Sequence, residues 1–299
     1  MNIRRALVLT AGLGTRLRPL TGVRAKPAIP VAGEPMIRRI VAWLVSKGVD
    51  DLVLNLHHRP ETLTACLGDG RDLGARVRYS WELPRILGTA GGPRLARAIV
   101  GAGSFFIVNG DTLTDVDLAQ IAGAHAASGA LVTLALVPNR EFLRYGGVRI
   151  DPGGAVTGFT RRGAAAEGTF HYIGVQAVEG RVFDGLAPGE EASSIGGVYD
   201  ALIAAQPGSV RAVVSDAAFF DVGTPADYWR TSRAFAAAEG KSFAPSILWD
   251  DVEVEAGARL DECIVTDGVH VSAGASHRRQ ILVRGDDGET LVFPLNLEP

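Results

Sequence analysis

Short apolar runs alternate with segments of helical periodicity through the first half of the chain. Runs such as ALVLT at residues 6–10 and SFFIVN at residues 104–109 are apolar at consecutive positions, which is typical of strands buried on both faces. Strands of this kind joined by helices predict an α/β fold, with a Rossmann-like, mainly parallel sheet covered on both sides. The predicted strands are residues 5–10, 51–56, 76–81, 104–109 and 130–137, and the predicted helices are residues 35–48, 60–67, 90–100 and 115–128.

Composition and charge exclude several classes of function. The 299 residues carry a formal net charge of -3, so there is no broad electrostatic reason to expect a nucleic acid or a membrane surface as partner. The two cysteines, Cys66 and Cys263, lie in unlike surroundings, which argues against a disulfide framework or a thiolate metal site. The N-terminal apolar run is too short for a signal peptide or a membrane span. We expect a cytoplasmic protein.

The second half of the chain follows two other patterns. Residues 145–220 contain short strand-like pieces that predict an antiparallel addition to the sheet, and residues 224–240 predict a helix. Further on, Val252, Ala258 and Ile264 follow one another at six-residue intervals, a rhythm that resembles a left-handed β-helix. We therefore predict a first domain at 1–243 and, at 244–299, a short coil that ends in a hairpin around Asp287-Gly288. So short a coil must pack on the first domain or on a second subunit. We expect a homodimer in which the exposed end of the coil packs on the second subunit.

A glycine-rich segment, AGLGTRLRPLT, follows the first predicted strand directly. Gly12 and Gly14 permit a tight turn whose backbone N–H groups point at one anion, while Arg16, Arg18 and Lys26 supply positive charge. The segment lacks the Gly-Lys-Ser/Thr of a P-loop and the third glycine of a dinucleotide fingerprint. By spacing alone, either an anion-binding loop or a tight turn with surface arginines is open.

The order of several motifs narrows that choice. AGLGTRLRPLT is followed by AKP, LGTAGG at residues 87–92, VNGDTL at 108–113, YGGV at 145–148, YIGV at 172–175 and DVGTPADYW at 221–229. Taken in this order, the segments resemble the signature of the sugar-1-phosphate nucleotidyltransferases, also called nucleoside-diphosphate-sugar pyrophosphorylases. The resemblance covers residues 3–235. It implies attack by a sugar 1-phosphate on the α-phosphorus of a nucleoside triphosphate, with release of pyrophosphate.

The resemblance also implies roles for individual residues. Arg16 matches an arginine that contacts the triphosphate, and Lys26 matches a lysine beside the α-phosphate, so both are expected to act in catalysis. Asp111 and Asp221 match the ligands of Mg²⁺, which suits two carboxylates completed by water and phosphate oxygens. A role for Asp221 as a helix N-cap is the alternative. The remaining residues expected to bind the nucleotide are Ala11, Gly12, Leu13, Gly14, Thr15, Glu82, Gly88, Thr89 and Asn109.

The acceptor side departs from the family pattern. Many relatives carry Glu-Lys-Pro after the strand that ends in GFT, but this chain has Arg161-Arg162-Gly163. The lysine that meets the sugar phosphate is thus missing, and Arg161 or Arg162 is expected to replace it, because an arginine fork binds phosphate well. The residues expected to bind the sugar phosphate are Gly147, Arg161, Glu167, Tyr172 and Gly174.

Substrate and catalytic status leave alternatives open. The RYSWE region and the missing tripeptide resemble uridylyltransferases that act on N-acetylmuramate 1-phosphate, so UTP with such a sugar or a hexose 1-phosphate is the first hypothesis. The six-residue repeats are typical of mannose-1-phosphate guanylyltransferases, which makes GTP the alternative. A non-catalytic nucleotide-sugar-binding subunit is the competing class, but it would be expected to lose Lys26 or an aspartate. An acyltransferase would need a longer coil.

Overall fold

A computed structural model describes residues 3–241 and 245–297. In the described part of the chain, nine strands form the main sheet, in the order β10-β9-β11-β6-β1-β4-β5, with β8 on β11 and β12 on β8. The strands of the first domain are β1 Arg5–Leu9, β2 Pro30–Val31, β3 Glu34–Pro35, β4 Asp51–Leu56, β5 Arg76–Trp81, β6 Ser104–Asn109, β7 Thr112–Thr114, β8 Val132–Pro138, β9 Gly147–Ile150, β10 Val156–Thr160, β11 Phe170–Glu179, β12 Val210–Val214 and β13 Phe219–Asp221.

The first half of the sheet is parallel, as predicted. Strand β1 lies between β4 and β6 and runs parallel to both, and β5 extends the same set. Strand β11 is antiparallel to β6, β8 and β9, so the second half adds the predicted antiparallel strands. Apolar side chains are buried on both faces, with Ala6 and Val8 in one core and Leu7 in the other. This double burial explains the continuous apolar runs.

Helices cover the sheet close to their predicted positions. The helix predicted from residue 115 begins at Leu118, because the Asp117 side chain accepts a hydrogen bond from the Ala119 N–H and caps the first turn. Thr224 caps the last helix in the same way, through the Asp227 N–H, so Asp221 is not needed as an N-cap. The helices are α1 Leu20–Val23, α2 Met36–Ser46, α3 Pro60–Leu67, α4 Gly88–Val100, α5 Leu118–Ser128, α6 Tyr199–Ala205 and α7 Pro225–Ala238. None of those in residues 3–241 and 245–297 is long and apolar enough to cross a membrane.

The C-terminal segment forms small sheets whose parallel strands repeat along the chain. Ile247 pairs with Ile264, Glu253 with His270 and Arg259 with Ser276, and partners such as Glu253 and His270 are 17 positions apart. The predicted terminal hairpin is present, with its two strands antiparallel. The strands are β14 Ile247–Leu248, β15 Glu253–Val254, β16 Arg259–Asp261, β17 Ile264–Val265, β18 His270–Val271, β19 Ser276–Arg278, β20 Gln280–Arg284 and β21 Thr290–Pro294. The pairing shows a repeating segment; a left-handed β-helix stays a prediction, as does the homodimer.

The C-terminal segment packs on the first domain. Trp249 donates a hydrogen bond from Nε1 to the Tyr228 hydroxyl at 2.8 Å, and Ile264 and Ile281 lie in the same apolar core as α2 and α7. The predicted boundary at 243/244 lies outside the described residues. A coil this short thus shares a core with the first domain, as its length requires.

Candidate active site

The glycine-rich loop leaves β1 at the carboxyl end of the sheet. Gly14 has φ 59°, and a Cβ at this position would lie 2.7 Å from the Thr21 Cγ2. The position therefore needs glycine both for its left-handed backbone and for its close neighbour. The Thr21 hydroxyl donates a hydrogen bond to the Gly14 carbonyl at 3.0 Å, and buried Leu17 anchors the following turn. These contacts leave Gly12, Leu13, Thr15 and Arg16 exposed at the end of β1.

A cavity of about 230 Å³ opens beside this loop. Parallel sheets collect their ligands at the carboxyl ends of the strands, and the cavity lies at the ends of β1 and β6. It is lined by Leu9, Thr10, Gly12, Gly14, Thr15, Arg16, Lys26, Pro27, Asp111 and Gly223. Predicted residues from two distant parts of the chain, the segment of residues 12–26 and Asp111, thus line one cavity, together with Gly223, which lies two positions after Asp221.

Lys26 joins the two predicted carboxylates. Its side chain is only 10% exposed, and its Nζ lies 2.6 Å from the Asp111 Oδ2 and 4.0 Å from the Asp221 Oδ1. Asp111 follows β6 directly, and pairing of β13 with β7 places Asp221 opposite Thr112. The two aspartates therefore face one site rather than different faces of the molecule.

The environment of Asp221 is unfavourable for an uncompensated negative charge. Burial raises the pKa of the Asp221 carboxyl, and the nearby charge of Asp111 raises it further. The positive charge of Lys26 acts in the opposite direction, with smaller help from two arginines. The site therefore favours additional positive charge at this carboxylate.

The donor set fits a hard divalent cation. In residues 3–241 and 245–297, no cluster of three or more His, Cys, Asp or Glu side chains could hold a metal ion, so the aspartate pair is the candidate. Mg²⁺ is commonly held by one or two carboxylates together with water and substrate phosphates. Asp111 and Asp221 meet that requirement, because both carry oxygen ligands and both are partly exposed.

Arg16 lies close to the same carboxylate. A Cβ built on Gly223 would lie 3.4 Å from the Arg16 Nη1 and 3.4 Å from the Asp221 Oδ2. Gly223 therefore leaves room where the guanidinium approaches the carboxylate. The side chain of Arg16 is exposed toward the cavity that it lines, so it is free to meet an anionic ligand.

The predicted base-recognition residues lie between the end of β5 and the first turn of α4. Glu82 is fully buried, with its Oε1 accepting from the Asn55 Nδ2 and its Oε2 from the Leu87 N–H, both at 2.7 Å. Asn55 in turn accepts from the Thr10 N–H at 2.7 Å. Glu82 thus holds the end of β1 and the loop before α4 in register, and its carboxylate does not face the cavity. No role was predicted for Asn55, although it begins the segment NLHHRPETL at residues 55–63.

Gly88 and Thr89 are the first two residues of α4. Gly88 has φ 75°, and a Cβ there would lie 2.7 Å from the Ala192 carbonyl oxygen. The Thr89 hydroxyl accepts from the Ser194 N–H at 2.9 Å. Both residues therefore pack against the segment that precedes α6, and their contact with a base stays a prediction.

The predicted acceptor residues are only partly brought together. Gly174 lies against Asn109, since a Cβ there would be 2.8 Å from the Asn109 Nδ2, and Asn109 ends the strand that leads to Asp111. Gly147 packs against Thr169, and Tyr172 packs into the core on the opposite face of the sheet from Ile173. The other two, Arg161 and Glu167, are exposed after β10.

Two charged residues at the site were missed by the sequence reasoning. The Arg144 Nη2 lies 3.0 Å from the Asp227 Oδ2 and 3.8 Å from the Asp221 Oδ2. Arg144 directly precedes the YGGV motif and Asp227 lies inside DVGTPADYW, so both belonged to, or adjoined, quoted motifs. Their charged side chains, in or next to these motifs, were the feature of the sequence that could have identified them.

Comparison with known proteins places the chain among nucleotidyl transferases. A family model described as nucleotidyl transferase matches residues 5–238. The mannose-1-phosphate guanylyltransferase of Mycobacterium tuberculosis is 30% identical over 293 residues, covering 90% of this chain and 81% of that protein. The UTP–glucose-1-phosphate uridylyltransferase of Synechocystis sp. is 28% identical over 298 residues, covering 89% of this chain and 76% of that protein.

A solved structure shows the same fold. The crystal structure of HddC from Yersinia pseudotuberculosis aligns with a TM-score of 0.66 at 23% identity, covering 78% of this chain and 100% of that chain. The family model spans the whole of the α/β part, including the glycine-rich loop, Lys26 and both aspartates. The chain therefore belongs to the nucleotidyl transferase family, the class of enzymes that its ordered motifs resemble.

Proposed function

We propose that this protein transfers a nucleoside monophosphate from a nucleoside triphosphate to a sugar 1-phosphate and releases pyrophosphate, with Mg²⁺ as cofactor. The observation that carries the proposal is the position of Lys26 between Asp111 and Asp221 beside the glycine-rich loop. A structural ion pair alone does not require two neighbouring carboxylates at the open end of a parallel sheet.

The reaction is a direct displacement at phosphorus. A phosphate oxygen of the acceptor forms the new bond to the α-phosphorus, and the bond from that phosphorus to the bridging oxygen breaks as pyrophosphate leaves. The attacking oxygen is already ionised at neutral pH, so no general base is needed. Such a step depends on positioning and on neutralising charge.

The residues of the cavity supply those two needs. Lys26 would meet the charge that builds at the α-phosphate, and Arg16 would meet the departing pyrophosphate. The backbone of residues 11–15 would cradle the phosphates, with its N–H groups as donors. A divalent cation held by Asp111 and Asp221 would neutralise phosphate charge and fix the orientation of the phosphates.

Relatives support two choices of base. The guanylyltransferase relative matches 90% of this chain, a span that must extend into the C-terminal segment, which favours GTP with mannose 1-phosphate. The uridylyltransferase relative spans almost as much, so UTP with glucose 1-phosphate or an N-acetylmuramate-type acceptor is the second candidate. A non-catalytic subunit is less well supported, because Arg16, Lys26 and both aspartates are retained at one cavity.

A matrix of pyrophosphate release tests the proposal. The full chain is incubated with Mg²⁺, each of GTP, UTP, dTTP, ATP and CTP, and each of mannose, glucose and N-acetylmuramate 1-phosphate. We expect release that requires one triphosphate, one acceptor and the metal together. Absence of release from every pair, with nucleotide-sugar binding retained in calorimetry, would instead establish the binding-subunit hypothesis.

A further inference from the structure

We infer that Arg144 binds the phosphate group of the sugar 1-phosphate acceptor and thereby does the work of the lysine that this chain lacks. The inference rests on the proposed function and names the residue that meets the second substrate. It departs from the sequence prediction, which assigned that contact to Arg161 or Arg162.

Two cations approach Asp221 at different oxygens. Lys26 lies 4.0 Å from the Oδ1, and Arg144 lies 3.8 Å from the Oδ2. Lys26 comes from the segment that carries the glycine-rich loop, whereas Arg144 comes from the connection between β8 and β9. The two substrates of a displacement must reach one phosphorus atom from different directions, and these two cations line different approaches to the same carboxylate.

The backbone around Arg144 is fixed by local hydrogen bonds. The N–H groups of Arg144 and Tyr145 both donate to the Glu141 carbonyl, at 2.8 and 2.9 Å. The guanidinium lies over the Tyr145 ring at 5.0 Å, and that ring stacks on His171 at 4.2 Å. An arginine held in this way loses less conformational entropy when it binds a phosphate.

Arg144 is also placed where it can meet a ligand. Its side chain is 37% exposed, whereas that of Asp227, its nearest partner, is 9% exposed. The next residue, Tyr145, lines a cavity of about 330 Å³ together with His171 and Phe219. Room for a bound molecule therefore adjoins Tyr145, over whose ring the guanidinium lies.

A purely structural role explains less of this arrangement. Asp227 keeps other partners without Arg144, since the Thr224 hydroxyl donates to its Oδ2 at 2.8 Å and the Arg230 Nη1 lies 3.6 Å from its Oδ1. An incoming phosphate would meet the charges of Asp111, Asp221 and Asp227. Lys26 is buried against Asp111, and Arg16, the other exposed cation near Asp221, comes from the glycine-rich loop. Arg144 is therefore the exposed cation on the side of the connection between β8 and β9.

The test compares acceptor and triphosphate kinetics in Arg144→Gln and Arg144→Lys, using the substrate pair that the unmodified chain turns over best. We expect Arg144→Gln to raise the KM for the sugar 1-phosphate about tenfold or more, since a charge-assisted contact is lost, and to leave the KM for the triphosphate within about twofold. Arg144→Lys should recover part of the loss, because it keeps the charge but not the planar fork.

Arg230→Gln is the matched control, because it removes the other arginine beside Asp227. It should leave both KM values unchanged. A role of Arg144 limited to pairing Asp227 would predict the same result for Arg144→Gln, so an acceptor KM that rises only in Arg144→Gln excludes that role. Thermal melts verify folding; should Arg144→Gln not fold, Arg144→Lys alone must show the raised acceptor KM.

Arg161→Gln and Arg162→Gln complete the set. An acceptor KM that rises in either of these variants and stays at the unmodified value in Arg144→Gln would overturn the inference while leaving the proposed function intact. Failure of the proposed function has a separate signature, namely no pyrophosphate release from the unmodified chain with any substrate pair.

Discussion

Charged side chains are largely buried at the carboxyl edge of the sheet and largely exposed in the C-terminal segment. At the cavity, Lys26 and Asp221 are 10% and 20% exposed and face one another across a shared site. In the C-terminal segment, His270 is 48% exposed and lies 3.1 Å from both Glu253 and Glu255. Exposed pairs of this kind contribute little to stability, whereas buried charges are costly unless they are compensated.

The contrast shows that the electrostatic cost of burying charges falls mainly on the cavity. The C-terminal segment places pairs such as Arg278 with Asp261 on the outside and keeps apolar residues, such as Val265, Val271 and Leu282, in its interior. Its less exposed pair, Asp267 with Arg24, lies at the junction with the first domain. At the cavity, burial raises the pKa of Asp221, and the like charge of Asp111 raises it further. Unfavourable clustering of this kind is characteristic of functional sites.

The largest effect is expected from Asp111→Asn and Asp221→Asn. Each replaces a carboxylate at the site by an amide of nearly the same size, so metal-dependent turnover should be abolished while the chain still folds. Asp111→Asn should also lower the thermal midpoint, because it removes the nearest partner of the buried Lys26. Asp117→Asn is the control, because asparagine caps a helix as well as aspartate does. Unchanged Mg²⁺-dependent pyrophosphate release in both cavity variants would refute the metal assignment.

Lys26→Ala should have the next largest effect. Loss of a buried positive charge beside the α-phosphate should lower kcat about 10²- to 10³-fold, with a modest change in triphosphate affinity measured by calorimetry. Lys47→Ala, at an exposed position, should leave both quantities unchanged. Retention of the full rate in Lys26→Ala would remove this lysine from the transition-state contacts.

Arg24→Gln tests the junction between the two regions. The Arg24 Nε and Nη2 lie 2.7 Å from the two carboxylate oxygens of Asp267, and the arginine is largely buried. Loss of this pair should cost about 1.5–3 kcal/mol and lower the thermal midpoint by several degrees. Arg4→Gln, which breaks an exposed pair with Asp50, should lower the thermal midpoint clearly less. Equal losses in the two variants would mean that the junction adds no stability.

The smallest effect is expected from His270→Ala. Removing an exposed ion pair should change stability by less than about 0.5 kcal/mol and leave turnover unchanged. Val271→Ala, one position along and buried in the segment's interior, should lower the thermal midpoint clearly more. A loss of activity in His270→Ala would show that the C-terminal segment does more than support the fold.

Particular elements show how far the sequence could predict the structure. Strands β4, β5 and β6 have the predicted bounds. The largely apolar runs of β4 and β6 are ended by polar residues, whereas in β5 the polar residues Arg76, Arg78 and Ser80 alternate with apolar ones. The helix predicted from residue 90 begins at Gly88, where a left-handed residue and a contact with Ala192 set the first turn. Six-residue spacing predicted a repeating C-terminal segment. Paired strands are 17 positions apart, and this separation could not be read from the six-residue spacing alone.

The candidate site shows the same division. Asp111 and Asp221 were identified through ordered motifs, and their shared position follows from the pairing of β7 with β13. Glu82 was expected near the base, yet its environment is a buried network with Asn55 and the Leu87 N–H. Burial of a carboxylate depends on which strands are neighbours, and motif spacing does not contain that information.

Local sequence was enough for the positions of the strands and most helices and for the charged glycine-rich turn, because apolar periodicity and capping act over a dozen residues or fewer. The start of α4 also depends on the contact of Gly88 with Ala192. Tertiary structure alone placed Lys26 against Asp111, 85 positions away, and set Arg144 on the second oxygen of Asp221. Such distances are fixed by strand order and register, which arise from the packing of the whole sheet.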